Sequence, residues 1–76
     1  MNGKYVIVGN EFIEYPILIG MTRQHKEVIC PEGLKFVSAG YFTAFEDVKT
    51  RGDSMTLRLS SREQDARIIK RHFEII

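Results

Sequence analysis

MTLRLSSREQDARIIKRHFEII, residues 55–76, changes the period of its apolar positions partway along. Met55, Leu57 and Leu59 alternate with Thr56, Arg58 and Ser60, the two-residue repeat of a half-buried strand. From Ala66 onward the apolar positions fall at Ala66, Ile69, Phe73 and Ile76, spacings of three and four that mark one face of a helix. Ser61 with Gln64, or Ser60 with Glu63, fits the S-x-x-E/Q capping box, which places the helix start at Arg62 and its end near Glu74. A helix of that length is marginal alone and needs a sheet under its apolar stripe. The expected surface is the Met55/Leu57/Leu59 strand beside it.

The rest of the chain reads as the remainder of that sheet. Tyr5-Val6-Ile7-Val8 is apolar on both faces and β-branched, a strand. Gly9-Asn10-Glu11 supplies a turn, and Ile13, Tyr15, Ile17 and Ile19 then share a face opposite Glu14 and Pro16. Pro16 lacks a backbone donor, so an unpaired edge is expected at this strand. Thr22 is placed to cap a short helical turn through Val28, with Met21 as its staple, and Pro31-Glu32-Gly33 closes that segment. A longer strand follows from Leu34 to Phe45. Gly40 in its middle marks a bulge or a close backbone approach. Glu46-Asp47 reverses the chain, Val48 to Arg51 returns, and Gly52-Asp53-Ser54 breaks the return. The expected architecture is α+β: a four- or five-stranded, mainly antiparallel sheet with a C-terminal helix packed on one face.

Composition bounds the function. Seventy-six residues form a single small domain, 1–76. Eleven Lys and Arg against ten Asp and Glu give a net charge of +1, so no bulk charge directs the chain to nucleic acid or an anionic membrane. The apolar runs fall far short of the roughly 18 residues of a membrane span, and Gly9, Asn10 and Glu11 interrupt the N-terminal stretch too early for a secretory leader. A single cysteine, Cys30, excludes an internal disulfide and fits a reducing compartment, so a cytoplasmic location is expected. A core this small rarely supplies more than about 3–5 kcal/mol. Idealised packing or homodimerisation would make up the shortfall.

Catalytic chemistry is not expected. Cys30, His25 and His72 do not match structural zinc spacing, and nothing in the sequence sets a base beside the thiol. The acidic residues are scattered, no glycine-rich phosphate loop is present, and no cofactor is expected.

Two basic groups are the candidate binding residues. Arg67, Lys70 and Arg71 share a helix face at i, i+3 and i+4, a stripe able to track phosphates. The same face also reads as a solvated one, with Glu63 paired to Arg67, Glu74 near Lys70 and Arg71, and charges ordered along the helix dipole. Lys49 and Arg51 share a strand face, with Arg58 on the next strand. They suit an acidic protein surface, a nucleic-acid backbone, or simply an edge guarded against aggregation. Tyr41 and Phe42 offer stacking groups or core.

Val37-Ser38-Ala39-Gly40-Tyr41, Gly52-Asp53-Ser54 with Leu57 and Leu59, then Ser60-Ser61-Arg62, Asp65 and Ile68-Ile69 resemble a pattern found in small bacteriophage- and prophage-encoded proteins. The resemblance spans about residues 37–73 and carries no catalytic residue across. It implies a phage or prophage setting. The resulting expectation is a non-enzymatic interaction module that binds a host or phage protein. The alternative is a small nucleic-acid binder using the basic residues of the helix and sheet.

Overall fold

The computed structural model describes residues 1–75. Four strands form an antiparallel sheet in the order β2-β1-β3-β4: β1 (Asn2–Gly9), β2 (Glu14–Ile19), β3 (Lys35–Ala44) and β4 (Val48–Arg51). Two further short strands, β5 (Asp53–Ser54) and β6 (Leu59–Ser60), pair with each other, and α1 (Asp65–Ile75) follows. The expected α+β architecture is present, with the helix against the strands.

The β1–β2 turn is set by Asn10. Its Oδ1 accepts hydrogen bonds from the Phe12 and Ile13 amides at 2.8 and 3.0 Å, and its own amide donates to the Ile13 carbonyl. This is the local chemistry that makes Asn a turn residue. β2 lies at the sheet edge, as Pro16 requires. β3 runs beside β1 with a register shift opposite Ile7 and Val8. At Gly40 a Cβ would stand 2.6 Å from the Arg51 carbonyl oxygen, so the close approach expected there is real. Glu46 and Asp47 lie in the reversal between β3 and β4, and β4 ends at Gly52, whose φ of 77° favours glycine.

Strand alternation divides the core between the two faces of the sheet. Tyr5, Ile7, Phe42 and Ile69 are buried together, with Leu18, Val48, Ile68 and Phe73 packed around them. Val6, Val8 and Ala39 form the second group, covered by Val28, Cys30, Leu34, Leu57 and Leu59. Helix α1 therefore covers one face. The 20–34 segment and the β5–β6 hairpin cover the other.

This arrangement overturns the expected seat of the helix. Residues 55–58 are a turn, Met55 is 86% exposed, and Leu57 and Leu59 pack on the face opposite α1. The helix lies instead across β1, β2, β3 and β4, through Ile69 against Tyr5, Ile7 and Phe42. The physical reason lies at Arg58, which adopts φ 56° and takes the chain out of extended geometry between Leu57 and Leu59. Alternation in the sequence is here produced by a tight turn.

Three smaller corrections belong to the ends of elements. The helix begins at Asp65 rather than Arg62, and its first turn is tied by the Asp65 carboxylate rather than by Ser60 or Ser61. The 20–33 segment holds only a 3-10 turn, His25–Glu27, secured by Glu27 accepting the Gln24 amide at 2.6 Å; Thr22 and Met21 are exposed. Among the described residues the Glu63–Arg67 pair and the pairing of Glu74 with Lys70 or Arg71 are not made; Lys70 meets Asp47 at 3.5 Å. The Ile76 position of the helix stripe lies outside the described residues.

Candidate functional site

A groove of about 320 Å³ runs between α1 and the edge strand β2. Gln64, Arg67, Ile68, Arg71 and His72 form its helix wall, and Glu14, Tyr15 and Pro16 form the wall from β2. The spacing explains the helix wall: 67 and 71, and 68 and 72, are each four residues apart and so share one side of α1, with Gln64 in the turn just before it. Ile69 and Phe73 take the neighbouring side, which is in the core.

A chain of polar contacts holds one end of this groove. Arg62 Nη2 donates to Glu14 Oε1 at 2.8 Å, and Arg62 Nε donates to Asp65 Oδ1 at 2.9 Å. The other Asp65 oxygen, Oδ2, accepts the Arg62 amide at 2.8 Å and the Tyr5 hydroxyl at 2.6 Å. Asp65 and Tyr5 are fully buried. Burial works against the Arg62 charge, but Glu14 and Asp65 outweigh it and raise its pKa. Burial, and then the hydrogen bond and charge of Asp65, push the Tyr5 phenol well above its ordinary range. Edge strand, central strand and helix start are thus fastened together, which fixes the spacing of the groove walls.

The candidate cations stand in two separate places. Arg67 and Arg71 line the groove, exposed, and no carboxylate among the described residues lies within ion-pairing distance of either. Lys70 projects away to Asp47 at the β3–β4 turn. Lys49 and Arg51 are exposed on β4, opposite Thr43 and Tyr41, and alternate with Val48, which packs toward α1. Their side chains therefore lie on the other side of the sheet. Arg58 is exposed in the β5–β6 turn, on the hairpin covering that same side. Phe42 is core, and Tyr41 is half-buried against His25.

The remaining reactive side chains are engaged within the fold. His25 is buried, with Nε2 2.9 Å from the Gly40 carbonyl oxygen, so this nitrogen carries the donated proton. The Cys30 thiol donates to the Leu34 carbonyl at 3.3 Å. A second recess of about 290 Å³ gathers Lys4, His25, Tyr41, Asp53, Ser54 and Thr56, among others. There the Lys4 ammonium already donates to the Arg23 carbonyl at 2.6 Å, and Ser54 takes up Thr56 and the Leu57 amide.

Sequence reasoning singled out Arg67 and Arg71 but missed Glu14, Tyr15, Pro16, Gln64, Ile68 and His72 as their neighbours. The missed signal was Pro16, which announced an edge strand without saying what lay beside it. No protein-family model, curated protein or solved structure matches the chain.

Proposed function

We propose that this chain is a non-enzymatic protein-binding module, of the kind a phage or prophage encodes as an accessory protein, and that it binds through the β1–β2 hairpin tip and the adjoining groove. The observation that carries this reading is the pair Phe12 and Ile13, consecutive side chains 85% and 53% exposed, with Tyr15 exposed beside them. Scattered exposed apolar residues need no explanation, but a contiguous group on one projecting tip does. The turn does not require them: Asn10 builds it through the backbone amides of residues 12 and 13, whatever side chains those positions carry. Fully burying a side chain such as Phe or Ile against a partner returns about 1.5–3 kcal/mol. The tip leads directly into the groove at Glu14, Tyr15 and Pro16.

A nucleic-acid binder using Arg67, Lys70 and Arg71 has less support. Lys70 is turned to Asp47, and the basic residues of β4 and the β5–β6 hairpin lie across the sheet from α1.

A photo-crosslinking residue at position 12, compared with the same residue at exposed position 32, tests the reading in host cells. A discrete protein adduct from position 12 that is absent from position 32 and lost with Ile13→Ser is the expected result. Equal, diffuse labelling from both positions removes the proposal.

A further inference from the structure

The α1–β2 groove has a chemistry of its own, and the kind of partner it selects rests on the protein-binding function proposed for the chain. Arg67 and Arg71 are four residues apart on one side of α1, a separation of about 6 Å along the helix axis. Both are exposed, and neither meets a carboxylate among the described residues. The opposite wall is the edge of β2 at residues 14–16, and the half-buried Ile68 side chain gives the groove an apolar surface beneath this charged rim. In an extended chain, side chains two residues apart lie roughly 6.6 Å apart and point the same way, while the one between them points to the other side. The two spacings match.

We propose that the groove receives an extended acidic segment of the partner protein, with carboxylates at alternate positions on Arg67 and Arg71 and the intervening side chain turned toward the edge of β2. Bidentate arginine–carboxylate geometry supplies the orientation, and Ile68 supplies apolar contact between the two arginines. Glu14 does not oppose this, because its carboxylate is held by Arg62 at the end of the groove.

A second copy of this chain does not fit as the occupant. Carboxylates two residues apart occur only at Glu63 and Asp65, and Asp65 is fully buried. A nucleic-acid strand fits less well: successive phosphates need a run of cations, and Lys49, Arg51 and Arg58 lie on the far side of the sheet.

The test uses the full chain and four fluorescein-labelled probes at low salt: a peptide of repeating Leu-Glu, its Leu-Gln and Leu-Lys counterparts, and a single-stranded DNA oligonucleotide. Fluorescence anisotropy is expected to show binding of the Leu-Glu peptide alone. Arg67→Gln and Arg71→Gln are each expected to weaken it by roughly fivefold, while Lys49→Gln leaves it unchanged. The double variant Arg67→Glu/Arg71→Glu is expected to exchange preference to a Leu-Lys peptide, which keeps the test valid whatever the absolute affinity. Equal binding of the Leu-Gln peptide, indifference to the arginine substitutions, or tighter binding of the DNA overturns the proposal. The two readings fail separately. A position-12 adduct that survives Arg67→Gln/Arg71→Gln keeps the binding module and removes the acidic segment from the groove.

Discussion

The Asp65 carboxylate accepts a phenol, a backbone amide and a guanidinium at once, with no exposure to solvent. Such a group is tolerable in a core only because every one of those contacts is made. Removing one partner exposes the dependence. Tyr5→Phe keeps the ring and deletes the hydroxyl, and is expected to cost about 1.5–3 kcal/mol, the range for hydrogen bonds to charged groups. The pH dependence has a definite sign. The folded-state pKa of Tyr5 is raised above the ordinary value of 10.0, by burial first and by Asp65 second. Its contribution is therefore fully present below pH 10 and declines as the unfolded chain begins to release this proton above it. Urea unfolding of the native chain and Tyr5→Phe at pH 8 and near pH 11 is expected to show a gap that narrows at the higher pH. A constant gap would mean that Tyr5 does not ionise differently in the two states. None of this was visible in the sequence. Asp65 reads there as an ordinary first-turn carboxylate, and its phenolic partner lies sixty positions away.

At the scale of elements, what the sequence revealed depended on how local each signal was. The Glu46-Asp47 reversal, the edge strand at Pro16 and the close approach at Gly40 rest on backbone chemistry of one or two residues, and all are present. The helix stripe was legible for the same reason. Its partner was not, because periodicity says which side of an element is apolar but not which apolar surface it meets. The alternation of Met55, Leu57 and Leu59 arises from a turn with Arg58 at positive φ, so the shared face it suggests does not exist. The candidate groove follows the same rule. Arg67 and Arg71 could be paired by helix spacing alone, whereas Pro16 reaches them only through tertiary packing. Substitution separates the two seats for α1. Ile69→Ala, at a fully buried position against Tyr5, Ile7 and Phe42, is expected to cost about 2–5 kcal/mol. Met55→Ala, at an exposed turn, is expected to fall within about 0.5 kcal/mol of the native chain. Comparable losses at both positions in urea denaturation would instead seat the helix against Met55.

At the scale of the whole molecule, the sheet is a partition with each face separately covered, and it sorts charge as well as apolar side chains. Arg67, Lys70 and Arg71 belong to the α1 side, whereas Lys49, Arg51 and Arg58 belong to the side covered by the β5–β6 hairpin. One duplex cannot contact both groups by lying along a single face. This limits the electrostatics of nucleic-acid binding through these six residues, since the slope of log affinity against log salt is about 0.9 per phosphate neutralised on a duplex. Either group of three acting alone gives a loss of about 40-fold between roughly 50 and 200 mM salt, whereas all six acting together would give about 2,000-fold. Anisotropy titrations of a labelled duplex across that range distinguish the two values directly. A loss of 40-fold or less, or no binding at all, is the expected result for a molecule whose cations are divided by its sheet. A dependence near the steeper limit would mean that a duplex engages cations beyond either group of three, because the alternation of Val48 with Lys49 and the seat of α1 against Val48 keep Lys49 and Arg51 off the α1 side.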